Sequence, residues 1–307
     1  MAIRLLFLTF MRTINELLRK YHLKPMRYEK NGHSFIVDTS DGRFVVKEKA
    51  NNLNIYRYLE SRSFRYYPEN ISSEEDEYDI YPYIEEYSIP DEQKLLDLID
   101  LVSLLHNKTT HYKEISEDAY KKIYEDIRNN ISFLETYYSD VITIIESKVY
   151  PSPSEYLFER NITKIFSALT FCKEELEKWY ERVKLKQKKR QVIVHNNLRL
   201  NHFLRNENSY LISWNKARID MPIFDLYKLY KNEGLEIEFV SLLERYERNY
   251  PLLNEERDLL FILMSLPDKV DFVGNEYEKC EKITKMIDYI YKTESIILPY
   301  YTKEEES

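Results

Sequence analysis

The first third of the chain alternates short apolar runs with turn residues. Between residues 13 and 21, apolar side chains recur every three or four positions after a threonine that can cap a helix, which predicts a short amphipathic helix. The next 25 residues place short apolar runs on either side of Asn31-Gly32 and Asp41-Gly42, dipeptides typical of tight hairpins. We therefore predict three antiparallel strands, then a helix over residues 53–59 and a further strand over Tyr78–Ile84.

From Asp91 onward, helical periodicity dominates the sequence. Long helices are predicted over residues 93–106, 116–148 and 154–184, and helical patterns return after the loop region and continue to about residue 291. The exception is Gln191–Ile212, where two apolar runs flank a polar segment and predict a hairpin around a loop. The order of elements predicts an α+β protein with a small antiparallel sheet and a helix in residues 1–86 and a mostly helical part in residues 87–307.

Composition and charge narrow the class of partner. Hydrophobic residues make up 43% and charged residues 32% of the 307 residues, which is the composition of a globular protein. The formal net charge of -8 argues against nucleic acid as a partner, because phosphate binding relies on clustered Lys and Arg. The basic run Lys184–Arg190 is the local exception, and we interpret it as a solvated helix end or loop.

The apolar stretch at the start is too short for a membrane span and lacks a small-residue cleavage site, so we interpret residues 1–11 as part of the first helix. Translation from Met11 is the alternative. We predict no membrane partner. The two cysteines, Cys172 and Cys280, fit no metal or redox spacing, which favours a reducing cytoplasm.

The most informative segment runs from Val192 to Tyr230. It resembles the aminoglycoside phosphotransferase and choline kinase group, and within it the bacterial spore-coat kinase-like proteins. Members of this group carry a loop H-G-D-x-x-x-x-N, a strand ending in I-D-W or I-D-F, and an Asp-Leu pair at the start of a helix. The matching stretches are His195–His202, Ile212–Trp214 and Asp225–Leu226, with supporting matches at Val45–Lys47 and Leu104–Thr109. The resemblance implies a two-lobed protein kinase-like fold and ATP as the nucleotide.

The family's catalytic and metal positions carry other residues in this chain. In the family the loop Asp accepts or orients the proton of the acceptor hydroxyl, while the loop Asn and the later Asp hold magnesium on the phosphates. Here these positions are Asn197, His202 and Ser213, and neither Asn201 nor Asn215 restores the register. Because Mg²⁺ requires hard oxygen ligands, usually with a carboxylate among them, we predict that Mg²⁺ binding and the family reaction are impaired.

The positions that bind nucleotide in the family are also only partly kept in this chain. Gly32 is the one glycine where a phosphate-covering loop has several, and a plain turn residue is the alternative interpretation. The resemblance implies that Lys47 pairs with the nucleotide phosphates. The alternative interpretation is an exposed lysine on a strand. The helix that follows offers only Glu60 as a carboxylate partner for Lys47. His195 matches the loop histidine that anchors the loop through its ring, and Asp225 is expected to cap its helix and tie the loop to it.

Other candidates stay open at the sequence level. His106 and His111 are interpreted as helix-end residues. His202 is a candidate ligand for a metal softer than Mg²⁺, but no second His, Cys or carboxylate lies at ligand spacing from it. The tyrosines could line a ligand cleft between the lobes, pack within the core, or form a protein interface. Those considered are Tyr66, Tyr67, Tyr78, Tyr81, Tyr83 and Tyr87.

Three functions follow from these residues. The first is a pseudokinase that keeps the fold for binding or assembly, with a small molecule or nucleotide in the inter-lobe cleft or a protein as its partner. Its setting would be the cytoplasm, or the spore coat by family analogy. The second is an active phosphotransferase for a small hydroxylated or amino substrate that uses His202 or Asp220 in an altered catalytic set. The third is a module that binds a small cationic or hydroxylated ligand without nucleotide.

Overall fold

The computed structural model describes residues 12–49, 53–116 and 118–305, and the chain packs as two compact units. Unit 1 comprises the described residues up to Leu98 together with Leu200–Ala217, and unit 2 comprises Ile99–Arg199 and the residues from Arg218 onward. The compact units thus divide the chain differently from the predicted boundary near residue 86, since residues 87–98 and 200–217 belong to unit 1. The predicted helix at residues 1–11, including the choice between Met1 and Met11, lies outside the described residues.

Unit 1 contains the predicted antiparallel sheet. Helix α1 covers the described residues 12–20. It is followed by β1 (Pro25–Asn31), β2 (Ser34–Thr39), β3 (Gly42–Glu48), α2 (Leu53–Ser61) and β4 (Tyr78–Pro82), and the strands lie in the order β1-β2-β3-β4. The central residues of the first turn are Gly32 and His33, and Gly32 has a φ of 58°, a conformation that glycine adopts without strain. These strands and helices confirm the sequence prediction.

The two faces of this sheet differ in character because side chains alternate along each strand. One face packs against α1 through the buried residues Phe35, Val37, Val46 and Ile80, which meet Ile14, Leu17 and Leu18 of the helix. Burying a side chain of this size contributes roughly 1.5–3 kcal/mol. The opposite face carries Ser34, Ile36, Val45, Lys47, Asp79 and Tyr81 in adjacent register.

A second segment completes unit 1. It consists of a 3-10 turn at Leu200–His202, β7 (Phe203–Arg205), β8 (Ser209–Leu211) and a 3-10 turn at Trp214–Lys216. The Leu211 N–H donates to the Tyr66 carbonyl at 2.8 Å, and the Tyr87 N–H donates to the Arg205 carbonyl at 2.8 Å. These bonds attach the segment to the rest of the unit.

Unit 2 is mostly helical. Helix α3 (Asp91–Thr109) begins in unit 1 and ends in unit 2. The unit continues with β5 (His111–Glu114), α4 (Asp118–Glu146), α5 (Pro153–Val183), β6 (Lys188–Val194), β9 (Arg218–Asp220), α6 (Ile223–Glu233), α7 (Phe239–Asn249), α8 (Asn254–Ser265) and α9 (Glu276–Glu305). None of the helices in the described ranges is both long enough and apolar enough to cross a membrane.

The strand pairing in unit 2 corrects the predicted hairpin. Strand β6 pairs with β5 on one side and β9 on the other, both antiparallel, whereas β8 pairs with β7. The hairpin predicted between the two apolar runs of Gln191–Ile212 is therefore wrong. Both β5 and β9 are short and largely polar, so neither gives the apolar alternation from which a strand is predicted.

The basic run Lys184–Arg190 is matched by carboxylates. Lys184 pairs with Glu181, Lys186 with Glu255, Lys189 with Asp220 and Arg190 with Glu256. The run starts at the end of α5, but its last three residues form the start of β6, so the loop interpretation is wrong for that part. The pairing leaves little free positive charge in this run for a phosphate backbone.

Candidate functional site

The loop after β6 is held by a single buried carboxylate. Asp225 is fully buried, and its two oxygens accept hydrogen bonds from the backbone N–H groups of His195 at 2.8 Å and Asn196 at 2.6 Å. The predicted tie between Asp225 and the loop is confirmed. Its predicted capping role is wrong, because Pro222 occupies the N-cap position and Asp225 lies inside the first turn of α6.

The backbone of the loop explains one sequence change. Asn196 stands where the family pattern has glycine, and its φ is 56°, in the left-handed region that glycine and asparagine tolerate best. Asn197, which replaces the family's loop Asp, follows it and is half-buried. The side-chain amide of Asn232 donates to the Leu198 carbonyl at 2.9 Å and fixes the next residue. The His195 side chain is fully buried beneath this loop.

His106 belongs to the same support, which the sequence analysis missed. It is fully buried, with Nε2 at 3.1 Å from Oδ2 of Asp225 and Nδ1 at 2.6 Å from the hydroxyl of Tyr246. Burial raises the pKa of Tyr246 well above its ordinary value, so the phenol stays protonated and can donate to the ring. His106 does lie in the last turn of α3, as interpreted from the sequence, but that interpretation did not include its contact with Asp225. Its place in the matched stretch Leu104–Thr109 was the available signal.

A cavity of about 250 Å³ lies in unit 1, on the face of the sheet opposite α1. Both Lys47 and Ser213 line it, so the structure brings together the family's phosphate-binding lysine position and one of its metal positions. Asn201 also lines the cavity, whereas His202 and Gly32 are not among its lining residues. Further lining residues are Ser34, Ile36, Val45, Tyr56, Tyr81 and Trp214.

Lys47 is not an exposed strand lysine. Burial lowers the pKa of Lys47, and the negative charge of Asp79 opposes that shift. Asp79 is directly opposite Lys47 in the β3–β4 ladder, where facing Cβ atoms lie roughly 4.5–5.5 Å apart. The ammonium group lies over the ring of Tyr81, 4.5 Å from its centre. The carboxylate beside Lys47 thus comes from a strand, while Glu60 of α2 accepts a long hydrogen bond from Tyr67.

Asp79 is itself built into a buried network. Its side chain is 5% exposed, and its oxygens accept from the amide of Asn70 at 2.8 Å and from the hydroxyl of Tyr81 at 3.2 Å. Tyr81 in turn shares a hydrogen bond with Tyr56. These bonds fix the charge that faces Lys47.

An aromatic cluster forms one wall of the cavity. The ring of Trp214, which is 1% exposed, lies 6.2–6.4 Å from the rings of Tyr56, Phe64 and Tyr67, and its N–H donates to the Leu211 carbonyl at 2.7 Å. Burial raises the pKa of Tyr56 and of Tyr67 to about 12. The tyrosines considered from the sequence therefore have different environments. Tyr81 and Tyr83 line the cavity, Tyr67 packs in the aromatic cluster, and Tyr87 is exposed.

The donor set does not fit Mg²⁺. Asn197, His202 and Ser213 offer an amide, an imidazole and a hydroxyl, whereas Mg²⁺ sites use carboxylate and phosphate oxygens. The carboxylate that lines the cavity in unit 1, Glu86, forms an ion pair with Lys94. Over the residues that the structure describes, there is no group of three or more His, Cys, Asp or Glu side chains arranged to hold a metal ion.

Asp220 is poorly placed to replace the loop carboxylate. It pairs with Arg218 at 2.9 Å and lies opposite Val192 in the ladder between β6 and β9. Val192 precedes His195 by three residues, which is about 10 Å along a strand. Asp220 therefore lies well before the loop that carries Asn197.

The comparisons with known proteins agree with this architecture. A family model described as "Phosphotransferase enzyme family" matches residues 32–259. An aminoglycoside phosphotransferase from Alicyclobacillus acidocaldarius has a similar structure, with a TM-score of 0.71 and 9% sequence identity over 95% of this chain and 96% of that one. No match to a curated protein sequence reaches significance.

Two further solved structures have the same fold. An AMP-bound spectinomycin phosphotransferase gives a TM-score of 0.60 at 14% identity, covering 92% of this chain and 97% of its own. A choline kinase from Streptococcus pneumoniae gives 0.52 at 15% identity, covering 91% of this chain and 99% of its own. The predicted kinase-like fold, with a small antiparallel sheet followed by a helical part, is confirmed.

Proposed function

Because the chain belongs to the phosphotransferase enzyme family, we propose that it is a pseudokinase of that family, which keeps the fold for binding or scaffolding and does not transfer phosphate. The observation that carries this proposal is the joint replacement of the loop base and both metal positions by Asn197, His202 and Ser213. An amide cannot accept the proton of an attacking hydroxyl, and the three side chains supply no anionic ligand for Mg²⁺.

We further propose that the unit 1 cavity still accepts a nucleotide or a related small molecule without magnesium. Lys47 provides a cation at the cavity, and the apolar and aromatic lining suits a flat ring. Two solved structures with this fold hold AMP, or ADP with spectinomycin, which supports a nucleotide as the first ligand to test. Lys47 and Ser213 line the cavity and are the residues expected to contact this ligand, whereas Gly32, in the turn between β1 and β2, does not line it.

The alternative is an active phosphotransferase with an altered catalytic set. It would need a base and a metal ligand other than the family's own residues, and the sequence offers His202, at a family metal position, and Asp220, outside these positions, as the two candidates. Asp220 is committed to Arg218 and Lys189, and its register sets it back from the loop. These observations favour the pseudokinase.

The biological setting of the proposal comes from the resemblance of the segment 192–230 to spore-coat kinase-like proteins. A scaffolding role of that type requires a folded surface and a protein partner but no turnover. The alternative setting for the same pseudokinase is the cytoplasm, where it would act as a binding protein.

The first test is thermal unfolding of the purified protein with ATP, with and without Mg²⁺, alongside Lys47→Ala. A ligand present at 100 times its dissociation constant stabilises a protein by about 2.7 kcal/mol. We expect a rise in melting temperature of several degrees that does not depend on Mg²⁺ and is smaller in Lys47→Ala. A Mg²⁺-dependent rise, with phosphate transfer to any hydroxylated or amino compound above the Lys47→Ala background, would refute the pseudokinase.

A second test restores the family residues together as Asn197→Asp, His202→Asn and Ser213→Asp. Mg²⁺-dependent nucleotide binding should appear in this triple variant, because the three positions then carry the amide and carboxylates that the family uses. Asn197→Asp alone and Ser213→Asp alone each restore one carboxylate and serve as partial controls. Absence of Mg²⁺ dependence in the triple variant would count against the assignment of these three positions.

A further inference from the structure

A second cavity lies within unit 2, between helices α5, α8 and α9. Its volume is about 170 Å³, and it shares no residue with the cavity that contains Lys47. Most of its wall is apolar, with the polar side chains concentrated at a few points. The apolar lining consists of Ala168, Phe171, Ile290, Ile297, Leu298 and the ring of Tyr301.

The charged groups at this cavity neutralise each other. Lys164 and Glu294 form an ion pair at 2.5 Å, and the Lys164 ammonium also lies over the ring of Tyr291. Both partners retain solvent exposure, at 26% and 51% of their side chains. Among the described residues that line it, the cavity therefore offers no unpaired charge, and its ligand should be uncharged.

Besides Tyr301, three residues with aliphatic hydroxyl groups, Ser167, Thr293 and Ser265, line the cavity, and these three differ in their hydrogen bonding. Ser167 donates to the Thr163 carbonyl at 2.9 Å, and Thr293 donates to the Tyr289 carbonyl at 2.8 Å. Both follow the common helical pattern in which the hydroxyl bonds to the carbonyl four residues earlier.

Ser265 departs from that pattern. Its side chain is 7% exposed, and its buried Oγ has no hydrogen-bond partner among the residues that the structure describes. A buried hydroxyl without a partner costs roughly 1–3 kcal/mol, so native proteins rarely leave one unsatisfied unless something else binds to it. Since Ser265 lines the cavity, a bound molecule with a donor or acceptor atom can supply that partner.

We propose that this cavity binds an uncharged molecule with a single ring or a short apolar chain that carries one hydroxyl or carbonyl group. The size follows from the volume, because an engineered apolar cavity of about 150 Å³ binds benzene. The polar group follows from Ser265, whose hydroxyl can donate to a carbonyl or exchange a bond with a hydroxyl. The site is independent of the nucleotide cavity.

The proposal is tested by fluorine NMR titration of the full chain with 4-fluorophenol and with fluorobenzene, which differ by the one hydroxyl. We expect both to bind and 4-fluorophenol to bind roughly three- to tenfold more tightly, the range that one net hydrogen bond provides. In Ser265→Ala the two affinities should become equal. Ser167→Ala is the matched control, because its hydroxyl is already bonded within α5, and it should keep the preference.

A filling variant, Ala168→Leu, tests the location. It places extra carbon atoms in the cavity and should weaken both ligands by at least tenfold, while Ser265→Ala affects only the phenol. Failure of both ligands to bind the wild-type protein would overturn the proposal. Equal affinities in the wild-type protein, a preference that survives in Ser265→Ala, or unchanged binding in Ala168→Leu would each overturn it as well.

Discussion

At the end of β6, two consecutive backbone N–H groups point at the same carboxylate. A loop that leaves a strand exposes such groups, and when they are buried each one needs an acceptor. Asp225 accepts both, from His195 and Asn196, and its Oδ2 also lies 3.1 Å from the His106 ring. One side chain therefore fixes the direction of the loop that carries Asn197, whether or not that loop performs chemistry.

Replacing the Asp225 carboxylate should strongly destabilise the folded protein. Asp225→Ala leaves several buried donors without an acceptor, and because each costs about 1–3 kcal/mol we expect a loss of at least about 3 kcal/mol in the free energy of unfolding. Urea denaturation measures it. The matched control is Asp288→Ala on the exposed side of α9, which should change the stability by less than about 0.5 kcal/mol. Similar losses in the two variants would contradict the role given to Asp225.

At this scale the sequence supports only part of the site. Asn197 and Ser213 are found from their positions in the family pattern, Lys47 from a supporting match, and Asp225 from the Asp-Leu pair at the start of a helix. The pairing of Lys47 with Asp79 could not be found in the same way, because it depends on the register between β3 and β4, which the spacing of the apolar residues does not fix. His106 was missed because its partners, Asp225 and Tyr246, lie more than 100 residues away.

At the scale of elements, β6 is joined to the start of α8 by a buried ion pair. Arg190 Nε donates to Glu256 at 3.0 Å, a second guanidinium nitrogen contacts the other carboxylate oxygen, and that nitrogen also donates to the Pro251 carbonyl at 3.0 Å. Glu256 further accepts from the Leu253 N–H at 3.0 Å, at the beginning of the helix. This bidentate ion pair links a strand and a helix whose paired residues are more than 60 positions apart in sequence.

Neighbouring glutamates allow a direct comparison. Glu256→Ala leaves Arg190 buried and unpaired, so the free energy of unfolding should fall by about 3–5 kcal/mol. Glu255→Ala removes a partly exposed pair with Lys186 and should cost about 0–1 kcal/mol. Urea denaturation of both variants gives the difference. Equal losses would show that the Arg190 pair contributes no more than a surface pair.

The success of element prediction followed the strength of the pattern. The hairpin strands of unit 1 combine apolar alternation with glycine turns, and the long helices of unit 2 keep their periodicity over many turns, so both were predicted from sequence. Strand β5 has four polar or aromatic residues, His111–Glu114, and becomes a strand because β6 lies beside it. The pairing of β6 with β5 and β9 is decided by tertiary packing, which no local pattern contains.

At the scale of the whole molecule, the unusual feature is the number of tyrosines, 28 in 307 residues. Many of them are core residues in both units. Burial raises the pKa of Tyr56 and Tyr67 in unit 1, and of Tyr120 and Tyr138 in unit 2, to about 12 from an ordinary value of 10. Packing in this protein therefore depends on phenol groups that must remain protonated.

This dependence predicts a loss of stability in alkali. Between pH 10 and pH 12 these tyrosines ionise in the unfolded chain but keep their protons in the folded state, so the unfolded state binds fewer protons and stability falls as pH rises. Below pH 10 their contribution should be constant. For a fully buried group such as Tyr138 the fall approaches about 1.4 kcal/mol per pH unit. Urea denaturation from pH 8 to pH 11.5 measures the slope.

Two variants separate buried from exposed phenols. Tyr138 donates to the Asp268 carbonyl, and Tyr138→Phe should lower stability at pH 8 but flatten the alkaline slope, because one buried ionisable group is gone. Tyr150 is 89% exposed, and Tyr150→Phe should leave both the stability and the slope unchanged. If Tyr138→Phe kept the full wild-type slope, alkaline unfolding would have to come from groups other than the buried tyrosines, which would contradict the role given to the buried phenols.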